Sequence, residues 1–535
     1  MPLGLRHVVA PLLLSVSSTL VACSGSVEQA GSPPTSPTIN PPAEQPPTET
    51  KPAFEIAWGS CSIPSGEESI QAECATIDAP ARRGIEGSGT VPVAIYRLKS
   101  KKQPATGQMW LLNGGPGGSG FSLAPFAEYV TTFAAGIDAY LIDHRGTGAS
   151  AFLDCPRALG TATTTADYVT DCSKEIRDVY GSRIDGFSTT ESAWDVKELI
   201  DSTAAKDQKV YVYGGSYGSY WAHRLLQLPG LRVDAMVTDG NCLGTTCSFD
   251  TPQTFATDEP MKAILDACKE SAPCAAKLGP DPTAFASATL QKLATGHCKE
   301  TKLAKWAPAD LMMSIGVYWP AGLMPILYRF DRCNAGDITV LNTINTKLEE
   351  FSRSRMIKNL PNLGPTPKPT EEESFSRTLQ MHVIASEMIS RPAPSEAQLR
   401  AKAANLMFKP GDDSYDLSYF DLWKGYPKDE FVGQWVNRDV PWLLMQGTFD
   451  FQTVFSLSTE AMKHIQNPSL QRVRMDGGGH GVVFDSRCAL GILEGFLKDP
   501  RAKVDTSCTA DVKKEAIAIE PRYVEYFFGT ENAWD

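Results

Sequence analysis

Short, mainly apolar runs recur through the first half of the chain, at residues 91–98, 109–112, 139–142, 210–213 and 235–238. Runs of that kind bounded by Gly, Asn and Asp predict buried strands, and Pro92 puts the first at a strand start or an edge. Between them the spacing changes. Residues 188–200 open on Ser188, Thr189 and Thr190 and then place Ala193, Val196, Leu199 and Ile200 at helical intervals, while residues 221–227 follow a strand directly as a second helix. Strands separated by helical segments predict right-handed βαβ units in a mostly parallel sheet.

After Asp239 the alternation stops. Residues 241–437 are helical patches with Pro-rich breaks such as 361–369, and the strand signal returns at 442–446 and 471–475. The simplest organisation is one sheet interrupted by an insertion: 55–240 as the first part of an α/β core, 241–437 as a helical cap, and 438–535 as the second part with a C-terminal tail. The expected fold class is α/β, a mostly parallel sheet flanked by helices, with that helical cap inserted.

The loops after these strands carry the chemistry. Tyr213-Gly214-Gly215-Ser216-Tyr217-Gly218 sits between a strand and a helix, the context in which G-x-S-x-G forms a nucleophile elbow. The sharp turn strains the serine's backbone and requires neighbours without Cβ atoms. Asp450 lies just beyond strand 442–446, and His480 lies in the glycine-rich loop after strand 471–475. Ser216, Asp450 and His480 thus occur in the order of an α/β-hydrolase triad, in which imidazole takes the serine proton and carboxylate fixes the imidazole's tautomer. The loop Asn113-Gly114-Gly115-Pro116-Gly117-Gly118-Ser119-Gly120 lets backbone N–H groups approach a developing oxyanion. Gly115 is the expected first donor, with Gly114 the alternative, and Tyr217 N–H the second. A phosphate-binding loop fits poorly, since neither G-x-G-x-x-G before a helix nor a following Lys-Ser/Thr is present.

Composition narrows the setting. The chain has 535 residues, 42% hydrophobic and 21% charged, with a net charge of −12. Its acidity argues against nucleic acid as a partner, because phosphate binding needs a basic face. Residues 1–22 read as a signal segment, with Arg6 ahead of an apolar run too short to span a bilayer comfortably. The run ends in Leu20-Val21-Ala22-Cys23, which resembles a bacterial lipoprotein signal with Cys23 lipidated. Residues 23–54 are rich in Pro, Ser and Thr and are expected to form a disordered tether. The expected location is therefore an exported lipoprotein, anchored by lipid to a membrane in the periplasm or at the cell surface. Twelve further cysteines, Cys61, Cys74, Cys155, Cys172, Cys242, Cys247, Cys268, Cys274, Cys298, Cys333, Cys488 and Cys508, predict disulfides. Sequence does not fix their connectivity; consecutive pairs closing short loops are the expectation. Zinc-type C-x₂-C pairs with matching histidines are absent, and no metal is expected.

Asn113-Gly-Gly-Pro-Gly-Gly-Ser-Gly120, Asp143-His-Arg-Gly-Thr-Gly148 and Gly214-Gly-Ser-Tyr-Gly-Ser-Tyr220 resemble signatures of the proline iminopeptidase and tripeptidyl aminopeptidase family of serine peptidases, most closely its secreted, tripeptidyl-aminopeptidase-like branch. Gln446-Gly447 with Asp450, Gly479-His480-Gly481 and the Cys488 and Cys508 spacing extend the likeness, which covers roughly 55–240 and 436–510. Asn113 departs from the histidine that proline iminopeptidases carry, which weakens transfer of their proline preference. The resemblance implies removal of residues or tripeptides from peptides with a free N-terminus, under a cap that blocks long chains, without a cofactor. Such an enzyme needs a carboxylate for the substrate's ammonium group. Glu387 is the expected residue, because Ser386-Glu387 resembles a Cys-(Glu/Asp) segment of related enzymes. Trp306, Trp319 and Trp423 are equally suited to a substrate pocket and to core packing. The alternatives are a carboxylesterase or lipase with the same triad and a non-catalytic surface lipoprotein. Epoxide and haloalkane hydrolases need an acid where Ser216 stands. Activity is expected to fall below about pH 6.5, where an ordinary imidazole protonates.

Overall fold

A computed structural model describes residues 38–39, 53–65, 68–134, 136–354 and 374–535. The expected signal segment, Cys23 and nearly all of the tether lie outside the described residues.

Nine strands form one sheet. They are β1 (Gly59–Ser65), β2 (Glu68–Pro80), β3 (Thr90–Leu98), β4 (Gly107–Leu112), β5 (Ile137–Ile142), β6 (Lys209–Gly215), β7 (Ala235–Asp239), β8 (Trp442–Gly447) and β9 (Leu470–Met475), in the order β9-β8-β7-β6-β4-β5-β3-β2-β1. From β4 to β9 all neighbours pair in parallel, and the first three strands extend the sheet antiparallel. Every residue of β4, β5, β7 and β8 is buried. That is the reason these strands read as mainly apolar runs: helices cover both faces of a parallel sheet. The pair β1–β2 gave no such run, because its residues alternate with Ser, Glu, Gln and Thr. Pro92 pairs with Asp78, near the start of β3, before the ladder with β5 begins at Ile95. Its missing N–H thus falls where a neighbour is present on one side only.

Helix α1 (Ala124–Phe133) packs on one face of the sheet; α2 (Thr189–Thr203) and α3 (Tyr217–Gln227) pack on the other. Ser188 caps α2 by accepting from Glu191 N–H at 3.2 Å. Between β7 and the short strand Trp435–Val436 the described chain is helical, which is the insertion. It divides in two. Helices such as α4 (Leu323–Arg332) build a core of their own, whereas Leu379 and Val383 of α5 (Arg377–Val383), with Trp423 and Tyr426, belong to the core beneath α2 and α3. Helix α6 (Arg487–Lys498) returns to the α1 face. The C-terminal helix α7 (Pro521–Phe528) leaves the sheet and stacks Tyr523 and Phe527 on Trp319 of the cap, at 5.7 and 5.4 Å between ring centres. Trp319 is therefore a packing residue of the cap core.

Six disulfides join Cys61–Cys74, Cys155–Cys172, Cys242–Cys247, Cys268–Cys274, Cys298–Cys333 and Cys488–Cys508. Each closes a loop between consecutive cysteines, and together they fit an extracellular or exported protein. No helix among the described residues is long and apolar enough to cross a membrane.

Candidate active site

The chain runs from β4 to β5 on one side and returns to β6 on the other, so the order reverses between β4 and β6. A crevice opens beyond the carboxyl ends of strands at such a point. The Asn113–Gly120 loop follows β4 there, and Ser216 follows β6.

Ser216 stands between β6 and α3 with φ 55° and ψ −128°, a conformation a non-glycine residue adopts only when its surroundings impose it. Those surroundings lack room for side chains. A Cβ on Gly114 would lie 2.7 Å from Ser216 Cβ, and one on Gly218 would run into the carbonyl oxygen of Leu112. Ser216 N–H donates to Asp239 O at 2.9 Å, tying the elbow to the end of β7.

The other two loops meet on that same turn. His480 Nδ1–H donates to Asp450, 2.9 Å from Oδ2 and 3.0 Å from Oδ1. The next residue after Asp239 is Gly240, where a Cβ would lie 3.1 Å from both Cε1 and Nδ1 of His480. The imidazole therefore rests against the backbone turn to which the serine's own N–H is bonded. Asp239 holds the histidine loop from below, its carboxylate accepting from Val482 and Val483 N–H at 3.0 Å each. Burial, the largest influence, pushes the Asp239 carboxyl up to about 6, against the N–H donors that lower it.

Asp450 is fully buried and would be raised by burial, but His480, together with Thr453, holds its carboxyl below the usual range. Gln452 and Thr453 N–H donate to Oδ1 at 2.8 Å, and Thr453 Oγ1 and Gln446 Nε2 donate to Oδ2 at 2.7 and 3.0 Å. Sequence reasoning missed these supports. Thr453 carries a usable signal, an Asp-x-x-Thr turn whose side chain bonds its own backbone; Gln446 and Asp239 carry none beyond lying at strand ends.

In the glycine loop, Gly114 N–H donates to Asn113 Oδ1 at 2.7 Å. The Gly114 donor is thereby engaged, which favours Gly115 as the one turned to the crevice; Gly115 has φ 123° and is half-buried. Tyr217 N–H is the first of α3, where helical geometry leaves N–H groups without intrahelical acceptors and gives a partial positive charge. The Asp-His-Arg-Gly motif braces this region. Asp143 accepts from Tyr96 OH at 2.7 Å, and Arg145 is buried against Asp195 at 2.6 Å.

Glu387 takes a place other than the expected one. Its side chain is wholly buried and paired with Arg224 Nη2 at 2.8 Å. Thr189 and Tyr426 hydroxyls donate to Oε1 at 2.5 Å each, and Tyr220 OH donates to Oε2 at 2.9 Å. A carboxylate so saturated, with its charge balanced by a guanidinium, has none to offer an ammonium group in this arrangement. His144 and His223 are buried as well, and burial lowers them to about 4 and about 3.

Comparison with known proteins agrees with this architecture. A model of the alpha/beta hydrolase fold matches residues 109–265, and a model described as TAP-like protein matches residues 421–508. The chain is an α/β-hydrolase that is similar, over its C-terminal part, to TAP-like proteins. Solved structures similar to it include an evolved variant of potato epoxide hydrolase, at 13% identity and TM-score 0.33, covering 80% of this chain and 98% of that one. An esterase from Exiguobacterium antarcticum has 13% identity and TM-score 0.33, covering 79% and 99%, and a serine hydrolase from Cycloclasticus zankles has 12% and 0.35, covering 79% and 98%. No curated protein matches the sequence significantly. This hydrolase has a cap that, through residues 374–426, is packed into its core.

Proposed function

We propose that this hydrolase is an exported serine aminopeptidase that releases N-terminal residues or tripeptides through a Ser216–His480–Asp450 acyl-enzyme mechanism. The observation that carries the serine chemistry is the 2.9 Å pair of His480 with buried Asp450, resting on the turn that also binds the strained elbow of Ser216. His480 takes the proton of Ser216 Oγ as that oxygen attacks the scissile carbonyl, and Gly115 and Tyr217 N–H groups receive the oxyanion. The imidazolium, stabilised by Asp450, passes the proton to the leaving amine; water then attacks the acyl group by the reverse route and restores the serine.

The match to the TAP-like model supports the peptidase reading, and the six disulfides support export. Lipid attachment at Cys23 and a tether over 23–54 complete the proposal, placing the enzyme at a membrane without entering it. Recognition of the free amine is part of this reading but is assigned to no residue, since Glu387 is paired with Arg224.

Labelling with a fluorophosphonate probe and hydrolysis of aminoacyl- and tripeptidyl-arylamides, each free and N-blocked, test it. The expected result is labelling that Ser216→Ala abolishes, with free peptides cleaved and blocked ones spared. Equal cleavage of blocked peptides would remove the aminopeptidase reading, and turnover of p-nitrophenyl esters alone would make the enzyme an esterase.

A further inference from the structure

The two oxyanion donors lie on loops from different strands, yet one stretch of the cap touches both. Residues 374–376 clasp the glycine loop. Ser119 N–H donates to Ser374 O at 3.0 Å and Ser376 N–H to Gly117 O at 2.9 Å, flanking an antiparallel bridge between Gly118 and Phe375. A Cβ on Gly117 would run into Ser376 O, so the clasp is closed to the limit the backbone allows. Ser376 is itself fixed, donating through Oγ to Leu153 O at 2.6 Å and capping α5 at Leu379 N–H.

Helix α5 then runs into a wide π turn, Ile384–Met388, and such turns are frequent at functional sites. The turn carries Glu387 inward beneath the elbow. Thr189 has one hydroxyl proton and gives it to Glu387 at 2.5 Å, so at 2.8 Å it accepts from Tyr217 OH. Tyr217 OH also lies 3.2 Å from His144 Nε2. The residue whose N–H follows the nucleophile is thus fastened by its side chain, through Thr189, to the cap.

We propose that residues 374–388 of the cap position the oxyanion hole: one end sets the Gly115 loop through the clasp, and the other sets Tyr217 through Glu387 and Thr189. The proposal rests on the serine-hydrolase reading above. It gives the buried Glu387–Arg224 pair a role in geometry rather than in binding substrate, and makes the cap part of the catalytic scaffold. Two donors must converge on one oxygen within a fraction of an ångström, and donors on independent loops need a shared brace to do so.

Tyr217→Phe and Thr189→Val cut one arm, keeping the Tyr217 backbone N–H; Gly117→Ala forces open the other. Each is expected to lower kcat on the best arylamide or ester about tenfold with KM within about twofold, and to weaken a phenylboronic acid, whose serine adduct mimics the tetrahedral intermediate, by the same factor. Glu387→Gln combined with Tyr217→Phe should cost no more than the larger single loss, because both lie on one arm. Gly117→Ala with Tyr217→Phe should multiply their losses. Asp337→Asn is the control: it breaks the buried pair of Asp337 with Arg329 in the other half of the cap and should lower Tm with kcat unchanged. If Glu387→Gln fails to fold, Thr189→Val takes its place in the double variant. Wild-type kcat in Tyr217→Phe, or a kcat loss without loss of boronate affinity, overturns the proposal. Failure of the underlying reading looks different: wild-type enzyme would not be labelled by fluorophosphonate, or Ser216→Ala would retain full activity.

Discussion

Asp450 illustrates how a single side chain is committed by its neighbours. Two backbone N–H groups, a hydroxyl and an amide donate to it besides His480, so the carboxylate is held ionised although its side chain is wholly buried. Asn in its place would keep the volume, but would present an amide where Thr453 Oγ1, Gln446 Nε2 and His480 Nδ1 need an acceptor. The imidazole would then settle in the wrong tautomer. We expect Asp450→Asn to lower kcat by about 10³- to 10⁴-fold while fluorophosphonate labelling slows in proportion and the far-ultraviolet spectrum is unchanged. A loss smaller than about tenfold would take Asp450 out of the mechanism. Ser216, Asp450 and His480 stood out in the sequence because each lies in a glycine-rich or acid-bearing loop that follows a strand. Glu387 was legible as a residue but not in its surroundings, since Thr189, Tyr220, Arg224 and Tyr426 come from other segments and no local pattern announces them.

Among the elements, the central parallel strands were visible because burial on both faces demands mainly apolar sequence, whereas the edge strand β9 alternates. Strands β1 and β2 were not, because an outer antiparallel pair tolerates polar residues on alternate positions. The insertion was visible as a loss of alternation, but its division was not: α5 joins the main core, and the C-terminal helix α7 joins the cap. The cap core is tied by Cys298–Cys333, which closes the longest of the six loops at a sequence separation of 35 and joins the end of α4 to the segment before it. On the loop-entropy account such a crosslink is worth about 4 kcal/mol. The double variant Cys298→Ala/Cys333→Ala should therefore lower the thermal midpoint by several degrees and expose the helices around α4 to limited proteolysis before the sheet. It should leave the tight pair Arg224–Glu387 and the kcat at low temperature nearly as they were, since that arm of the cap packs elsewhere. Loss of activity in step with proteolysis of the α4 region would show the two halves to be one cooperative unit.

Over the whole molecule, the buried titratable groups decide how stability follows pH. His144 and His382 are lowered to about 4 and His223 to about 3, each chiefly by burial. Unfolded, they take up protons near pH 6.5. Below that value the unfolded chain binds more protons than the native one, so these groups remove stability as pH falls from about 6.5 toward 4. Asp143 and Asp239 act in the opposite sense. Burial raises both to about 6, so the native state gains protons before the unfolded state does, and they add stability between about 6 and 4. Asp310, which burial also raises, adds a smaller offset, so three imidazoles against these carboxyls leave a net loss of no more than about 1 kcal/mol per pH unit. Below about pH 4 the lowered carboxyls of Asp195, Glu387 and Asp450 join the loss, because the unfolded chain then protonates them first. The thermal midpoint should thus be flat above pH 7, decline gently to pH 4 and fall steeply beyond. His223 offers the sharpest check: it packs on Trp435 at 5.3 Å, and its Nε2 has no hydrogen-bond partner among the described residues. Replacing it removes one of the three opposing protons without breaking a bond at Nε2. His223→Met is expected to flatten the segment between pH 6.5 and 4, since only His144 and His382 then oppose the raised aspartates. A slope equal to the wild type's would mean that His223 is not among the groups that unfolding protonates, and the loss would rest on His144 and His382.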